Sequence, residues 1–288
     1  MSGWALRNCV RAVWIFLLLA PPALAEAFPL RVQPALDYPA LAAGVAAGGY
    51  GYYLEGQASR FDPSRFHAGD IPAYDRWAIG YYSPGLSTLS DVLVLLEGAA
   101  PAAFAGADWQ RGEETSGEAW TEAVVYGEVV AYASAASLLS KSFRLHPRPL
   151  AFTDAAPYAE RSAGDARSSF VSEHATGAFA AGVFTAYMYQ LKHPQSACIP
   201  WVWAGAMGTA AATGALRVFS GKHFPSDVLA GAILGSVVGY AVPRLHLGRN
   251  WKSAANSGTD PDFLSRFNLR LRWEPDGFAP ALVYRLPG

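Results

Sequence analysis

The chain has 288 residues, of which 52% are hydrophobic and 16% charged, and its formal net charge is −1. That length and apolar content suit one compact domain with a large core. The even charge balance gives no argument for nucleic-acid binding, and the cations that matter are few and placed rather than spread as a basic face.

Residues 1–25 read as a secretory signal peptide. Arg7 and Arg11 form a positive start, Ala12 to Ala20 a short apolar core, and Ala23-Leu24-Ala25 a small-residue cleavage pattern. The apolar core is too short to span a bilayer. Cys9 lies in this leader, which leaves Cys198 alone in the mature chain. No internal disulfide can then form, and Cys198 reads as a small buried hydrophobe.

The remaining chain, 26–250, reads as an all-α six-helix bundle. A first helix is expected over Leu36 to Leu54. A polar loop follows at 55–83, with a short helix opening at Asp75. A second helix fits Leu86 to Ala107 and carries Asp91 and Glu97. The third, Trp120 to Ser140, carries Glu122 and Glu128 and delivers Lys141 at its end. A long loop over 142–171 is rich in Pro and charge, and a loop of that length in a compact domain is usually functional. The fourth helix is expected over Ser172 to Leu191, the fifth over Pro200 to Phe219, and the sixth from Pro225 to Pro243. Pro225 is a good first-turn residue. Glycines at 205, 208, 214, 231, 235 and 239 let these helices approach closely. The C-terminal extension, 251–288, alternates from Asn268 to Trp273, turns at 274–277 and returns from Phe278, which signals a β-hairpin.

Three short pieces within 141–227 carry the chemistry. The first is Lys141 followed, after six residues, by Arg148-Pro149. The second is Ser172-Glu173-His174 at the start of an apolar run. The third is Arg217, then His223 after five residues and Asp227 after three more. Arg148 and Arg217 can grip phosphate oxygens in a fork, and Lys141 supplies a point charge. Ser172, Glu173 and His174 open a helix, whose N-terminal N–H groups form an anion site. Two histidines remain for nucleophilic and acid–base work. His223 is the better nucleophile, because Asp227 four residues on can reach one ring nitrogen. His174 is then the acid for the leaving group.

These pieces resemble the type 2 phosphatidic acid phosphatase family, whose superfamily also holds bacterial class A acid phosphatases and vanadium haloperoxidases. The family pattern is Lys-x6-Arg-Pro, Pro-Ser-Gly-His and Ser-Arg-x5-His-x3-Asp. Here Val171 and Glu173 stand in the second piece where the family usually has Pro and Gly, and Leu216 replaces the usual Ser in the third. The resemblance implies a phosphohistidine at His223, oriented by Asp227, with His174 protonating the departing alcohol. It implies that Lys141, Arg148, Ser172 and Arg217 hold the phosphate, with Glu173 beside it as a tuning residue, and that no divalent metal or other cofactor takes part. The expected activity is hydrolysis of phosphate monoesters or diphosphates of a small molecule or lipid. The alternatives are a vanadate-dependent haloperoxidase, with vanadate as cofactor, and an impaired phosphate-binding envelope protein.

On membrane integration, Asp91, Glu97, Glu122 and Glu128 argue against the second and third helices as spans, while the fourth, fifth and sixth are apolar enough to raise the question. A leader that exports the N-terminus, followed by six crossings, would also turn the loop after the third helix inward. The expectation is therefore an exported protein of the periplasm or cell envelope, soluble or membrane-associated, with full integration as the alternative.

Overall fold

The computed structural model describes residues 28–143 and 146–248, together with the backbone of two strands at 267–274 and 277–284. The leader expected over 1–25 lies outside the described residues. Six long helices are α1 (Pro34–Gly56), α2 (Pro84–Gln110), α3 (Ser116–Ser140), α4 (Glu173–Lys192), α5 (Ile199–Phe219) and α6 (Pro225–Leu245). The C-terminal unit, from Leu247 on, contains an antiparallel hairpin of β1 (Phe267–Glu274) and β2 (Gly277–Tyr284), in which Phe267 pairs with Tyr284 and Glu274 with Gly277. The fold is thus the expected all-α six-helix bundle with a short C-terminal hairpin.

Local chemistry marks where the helices start. Ser83 caps α2 by accepting from the Leu86 N–H. Thr115 and Glu118 form a reciprocal capping box at α3. Pro stands at the first or second position of α1, α2, α5 and α6, where its missing N–H costs nothing. The turn after α5 needs Gly221, whose φ is +74°. A Cβ there would lie 2.1 Å from the Tyr81 carbonyl oxygen, so both conformation and space demand glycine.

The centre of the bundle is α4, most of whose side chains are buried, including Phe184, Tyr187 and Met188. It packs against α2, α3, α5 and α6. Its contact with α6 is a backbone contact. A Cβ on Gly231, Gly235 or Gly239 would fall 2.6, 2.2 or 2.5 Å from the carbonyl oxygens of Ser172, Thr176 and Ala180 respectively. This small-residue stripe seats the start of α6 beside the start of α4. There the Ser172 N–H donates to the Asp227 carbonyl oxygen at 3.2 Å.

The structure corrects the expectation about spans. α2, α3 with its continuation to Phe143, and α6 are the three described helices long and apolar enough to cross a membrane. Three of the four acids that argued against α2 and α3 point into the bundle, while Asp91 is exposed near the start of α2. Glu97 accepts from the Thr213 hydroxyl, Glu122 pairs with Lys192, and Glu128 approaches His246. What remains outward is apolar. Leu89, Val92, Leu95 and Leu96 on α2, and Leu229, Ile233 and Val237 on α6, are all exposed. Such continuous apolar faces mark a surface that meets lipid or another protein, and with three helices long and apolar enough to cross a bilayer they indicate membrane association. Cys198, expected to be buried, is exposed at the start of α5, where it stands as the N-cap residue outside the packed part of the helix.

Candidate active site

Five helix ends and one loop meet at one end of the bundle. α3 ends in Lys141, α4 begins after Ser172, α5 ends with Arg217 two residues before its terminus, and α6 begins just after His223. The end of α1 contributes Glu55. The long loop is tied down between them. The Arg148 N–H donates to Ala166, the Leu150 N–H to Gly221, the Ser168 hydroxyl to the Lys141 carbonyl, and the Val171 N–H to the Ser140 hydroxyl. These bonds fix Arg148 against the other cations, so the loop walls the site.

The structure brings all eight nominated residues together. Lys141, Arg148 and Arg217 are buried cations at 6, 7 and 5% exposure. Burying three cations together is costly unless anions accompany them, and each has an acidic neighbour. Lys141 Nζ lies 2.9 Å from Glu55 and 3.1 Å from Glu173. Arg148 pairs with Asp165 at 3.0 Å. Arg217 reaches Asp91 at 3.3 Å and the hydroxyls of Ser87 and Ser90 at 3.3 and 3.1 Å. Even so, Nε of Arg148 and Nε of Arg217 are buried with no hydrogen-bond partner among the described residues. Two guanidinium groups with a free donor each are what an incoming phosphate would satisfy.

His223 is 2% exposed. Its Nδ1 lies 2.8 Å from the Ser169 carbonyl oxygen. A carbonyl can only accept, so Nδ1 carries the proton and Nε2 keeps its lone pair. Burial, followed by the charges of Arg217, Arg148 and Lys141, holds the His223 pKa well below the ordinary value of 6.5. A neutral imidazole with a free Nε2 is a competent nucleophile.

Asp227 does not make the direct contact expected from the four-residue spacing. Its nearest oxygen is 3.9 Å from His223 Nδ1. It accepts instead from the Ser169 hydroxyl at 2.5 Å and from the Phe224 N–H at 2.8 Å, so it positions the segment whose carbonyl holds the imidazole. The other Asp227 oxygen faces His146 Nε2 at 3.4 Å.

His174 sits in the first turn of α4 with Nε2 2.7 Å from Asp91. Burial and Arg217 lower its pKa to about 4, against the raising effect of Asp91. Ser172 is fully buried and its hydroxyl accepts from the Ala175 N–H at 3.4 Å, which leaves its proton to donate. Glu173 turns to Lys141 rather than into the gap between the guanidinium groups.

Sequence reasoning missed Glu55, Asp91, Asp165 and Ser169 as members of the site. Asp91 had a usable signal, as a carboxylate in an apolar helix. The other three look like ordinary loop or helix-end residues.

The comparisons with known proteins follow this geometry. Residues 122–251, which hold every nominated residue, match the model of the PAP2 superfamily. Over those residues the chain is similar to that superfamily. The match supports a phosphatase of the PAP2 type. A solved structure, the transmembrane PAP2 type phosphatidylglycerolphosphate phosphatase of Bacillus subtilis, is 22% identical, with 70% of this chain and 94% of that chain covered and a TM-score of 0.43. No curated protein matches.

Proposed function

We propose that this protein is a PAP2-type phosphatase that hydrolyses phosphate monoesters or diphosphates carried by lipids, through a phosphohistidine at His223 and without a catalytic metal. The observation that carries the reading is the pairing of a neutral, buried Nε2 on His223 with two guanidinium groups that each hold a free Nε donor.

Arg148, Arg217, Lys141, the Ser172 hydroxyl and the first N–H groups of α4 hold the non-bridging oxygens, and their charge meets the charge that spreads over those oxygens in the transition state. Nε2 of His223 attacks phosphorus as the bond to the leaving oxygen breaks. His174, protonated when the phosphate dianion arrives beside it, gives its proton to that oxygen, and the alcohol departs. His174 then takes a proton from water, whose oxygen attacks the phosphohistidine and releases inorganic phosphate and free His223. Asp91 keeps His174 aimed throughout.

The lipid assignment is supported by place. The phosphate pocket lies at an end of the bundle, and the exposed apolar faces of α2 and α6 run away from it. A headgroup can enter the pocket while its chain stays against apolar surface. Export to the cell envelope is part of the same proposal and rests on the leader pattern of residues 1–25.

The test is phosphate release by the purified mature chain in detergent without added divalent metal. Phosphatidic acid, an isoprenyl diphosphate and p-nitrophenyl phosphate are compared. Higher kcat/KM for either lipid supports the proposal. Higher kcat/KM for the soluble ester removes the lipid assignment. Halide oxidation with vanadate and peroxide, in the absence of any phosphate release, would move the chain to the haloperoxidases.

A further inference from the structure

A second constellation of ionisable groups lies well away from the phosphate pocket. Glu128 precedes Lys141 by thirteen residues on α3, roughly 20 Å at 1.5 Å per residue. Around it meet Asp37 from the first turn of α1 and His246 from the end of α6. Their ligand atoms all lie within 4.8 Å of one another.

Two of the three groups are each aimed by a separate contact. His246 Nδ1 lies 2.9 Å from the Val242 carbonyl oxygen, so that nitrogen carries the proton and Nε2 presents its lone pair to the carboxylates. Nε2 is 3.5 Å from Asp37 Oδ1 and 3.4 Å from Glu128 Oε2. The other oxygen of Asp37 accepts from the Gln33 N–H at 2.5 Å, which turns Oδ1 inward. The Glu128 side chain is 3% exposed, and its Oε1 has no hydrogen-bond partner among the described residues.

Two facts separate this cluster from a simple ion pair. Charge-assisted hydrogen bonds between an imidazolium and a carboxylate are shorter, about 2.7–2.9 Å. Ligands on a tetrahedral ion with bonds of about 2.0–2.1 Å stand about 3.3 Å apart, close to both separations here. The unpartnered Glu128 Oε1, buried in the bundle, points the same way, since a cation would satisfy it.

We propose that Asp37, Glu128 and His246 bind one divalent transition-metal ion, with zinc the best match to the donor set, tying α1, α3 and α6 together. An imidazole hydrogen-bonded through its second nitrogen to a carbonyl is the usual outer support of such a ligand. His246 and Asp37 retain 11 and 16% side-chain exposure, which gives the ion an entry and a water the fourth position. The other His/Asp/Glu group, Asp108, Glu113 and His193, already holds Arg111 and Lys192 against its carboxylates.

The test uses the tag-free mature chain in detergent, stripped by chelator and dialysed, then titrated calorimetrically with zinc chloride while its unfolding temperature is followed. The expected result is one equivalent of zinc per chain, an unfolding temperature that rises with zinc concentration, and binding weakened at least about 100-fold in Glu128→Gln and His246→Gln. Cobalt(II) should give tetrahedral visible absorption in the wild type and lose it in both variants. Phosphate release by the near-isosteric Glu128→Gln, assayed in the cold, reports that the variant is folded. Absence of saturable zinc binding at micromolar concentrations, or binding by both variants equal to wild type, overturns the proposal and leaves an ion-paired triad.

Discussion

His223 is held by the main-chain carbonyl of Ser169, which accepts from Nδ1 at 2.8 Å. Asp227 acts one step further out, through the Ser169 hydroxyl and the Phe224 N–H. A carboxylate that directly orients a histidine is worth about 10⁴ in kcat. Here the carbonyl survives the loss of the carboxylate. Asp227→Asn should therefore lower kcat by only about 10²-fold and leave KM nearly unchanged. Steady-state kinetics on one lipid substrate checks this. A 10⁴-fold loss would mean that Asp227 moves onto the ring when substrate binds.

Asp91 bridges His174 and Arg217 through one oxygen. It raises the His174 pKa against burial and Arg217. Asp91→Asn removes that support, so His174 should lose its proton at lower pH. The alkaline limb of the kcat/KM profile, which needs protonated His174, should move to more acidic pH in the variant. A limb that stays in place would remove His174 as the acid.

The same residue makes stability depend on pH. The folded pKa of His174 is about 4, below the ordinary 6.5, so the unfolded chain binds more protons between those values. The favourable contribution of the neutral, half-buried ring is complete above pH 6.5. It is lost as pH falls from 6.5 to about 4. Chemical denaturation of wild type and His174→Gln should show a steeper decline in that window for wild type, and equal slopes would contradict the assignment.

Glu173 pairs with Lys141 at 3.1 Å, and under the proposed function it would compete there with phosphate. The carboxylate is 42% exposed, so the pair is worth at most about 1 kcal/mol. Glu173→Gln should tighten inhibition by inorganic phosphate by up to about fivefold. Weaker inhibition in this variant would show that Glu173 helps to build the pocket rather than restrain it.

The approach of α6 to α4 depends on Gly235, where a Cβ would lie 2.2 Å from the Thr176 carbonyl oxygen. Gly235→Ala should destabilise the protein by about 1–3 kcal/mol or more. Gly205, with nothing within 4 Å of a Cβ, should accept alanine with no loss of stability. Denaturant midpoints of the two variants check the contrast.

The sequence made the bundle readable because each helix begins on Pro, Ser or Thr and ends at a polar break, as at Ser83, Thr115 and Pro225. The hairpin was readable from alternation between Asn268 and Trp273. The cations and histidines of the pocket were readable because their spacing within three short pieces is local. Their counter-ions were not, since Glu55 and Asp165 reach Lys141 and Arg148 only through tertiary packing. The spans were misjudged for a related reason. A linear count of charges on α2 and α3 cannot say that Glu97, Glu122 and Glu128 all face inward. The Ser169 carbonyl is a main-chain atom, and no side-chain pattern announces it.

The central claim, that His223 carries the phosphoryl group, is tested most directly by rapid-quench labelling of His174→Ala with ³²P-labelled p-nitrophenyl phosphate. Its leaving phenolate needs no proton, so the first step should proceed while the water step stalls. The account predicts a burst of one equivalent of p-nitrophenol and an acid-labile label on His223, absent when His223→Ala is added. A label at another residue, or turnover that persists in His223→Ala alone, would contradict it.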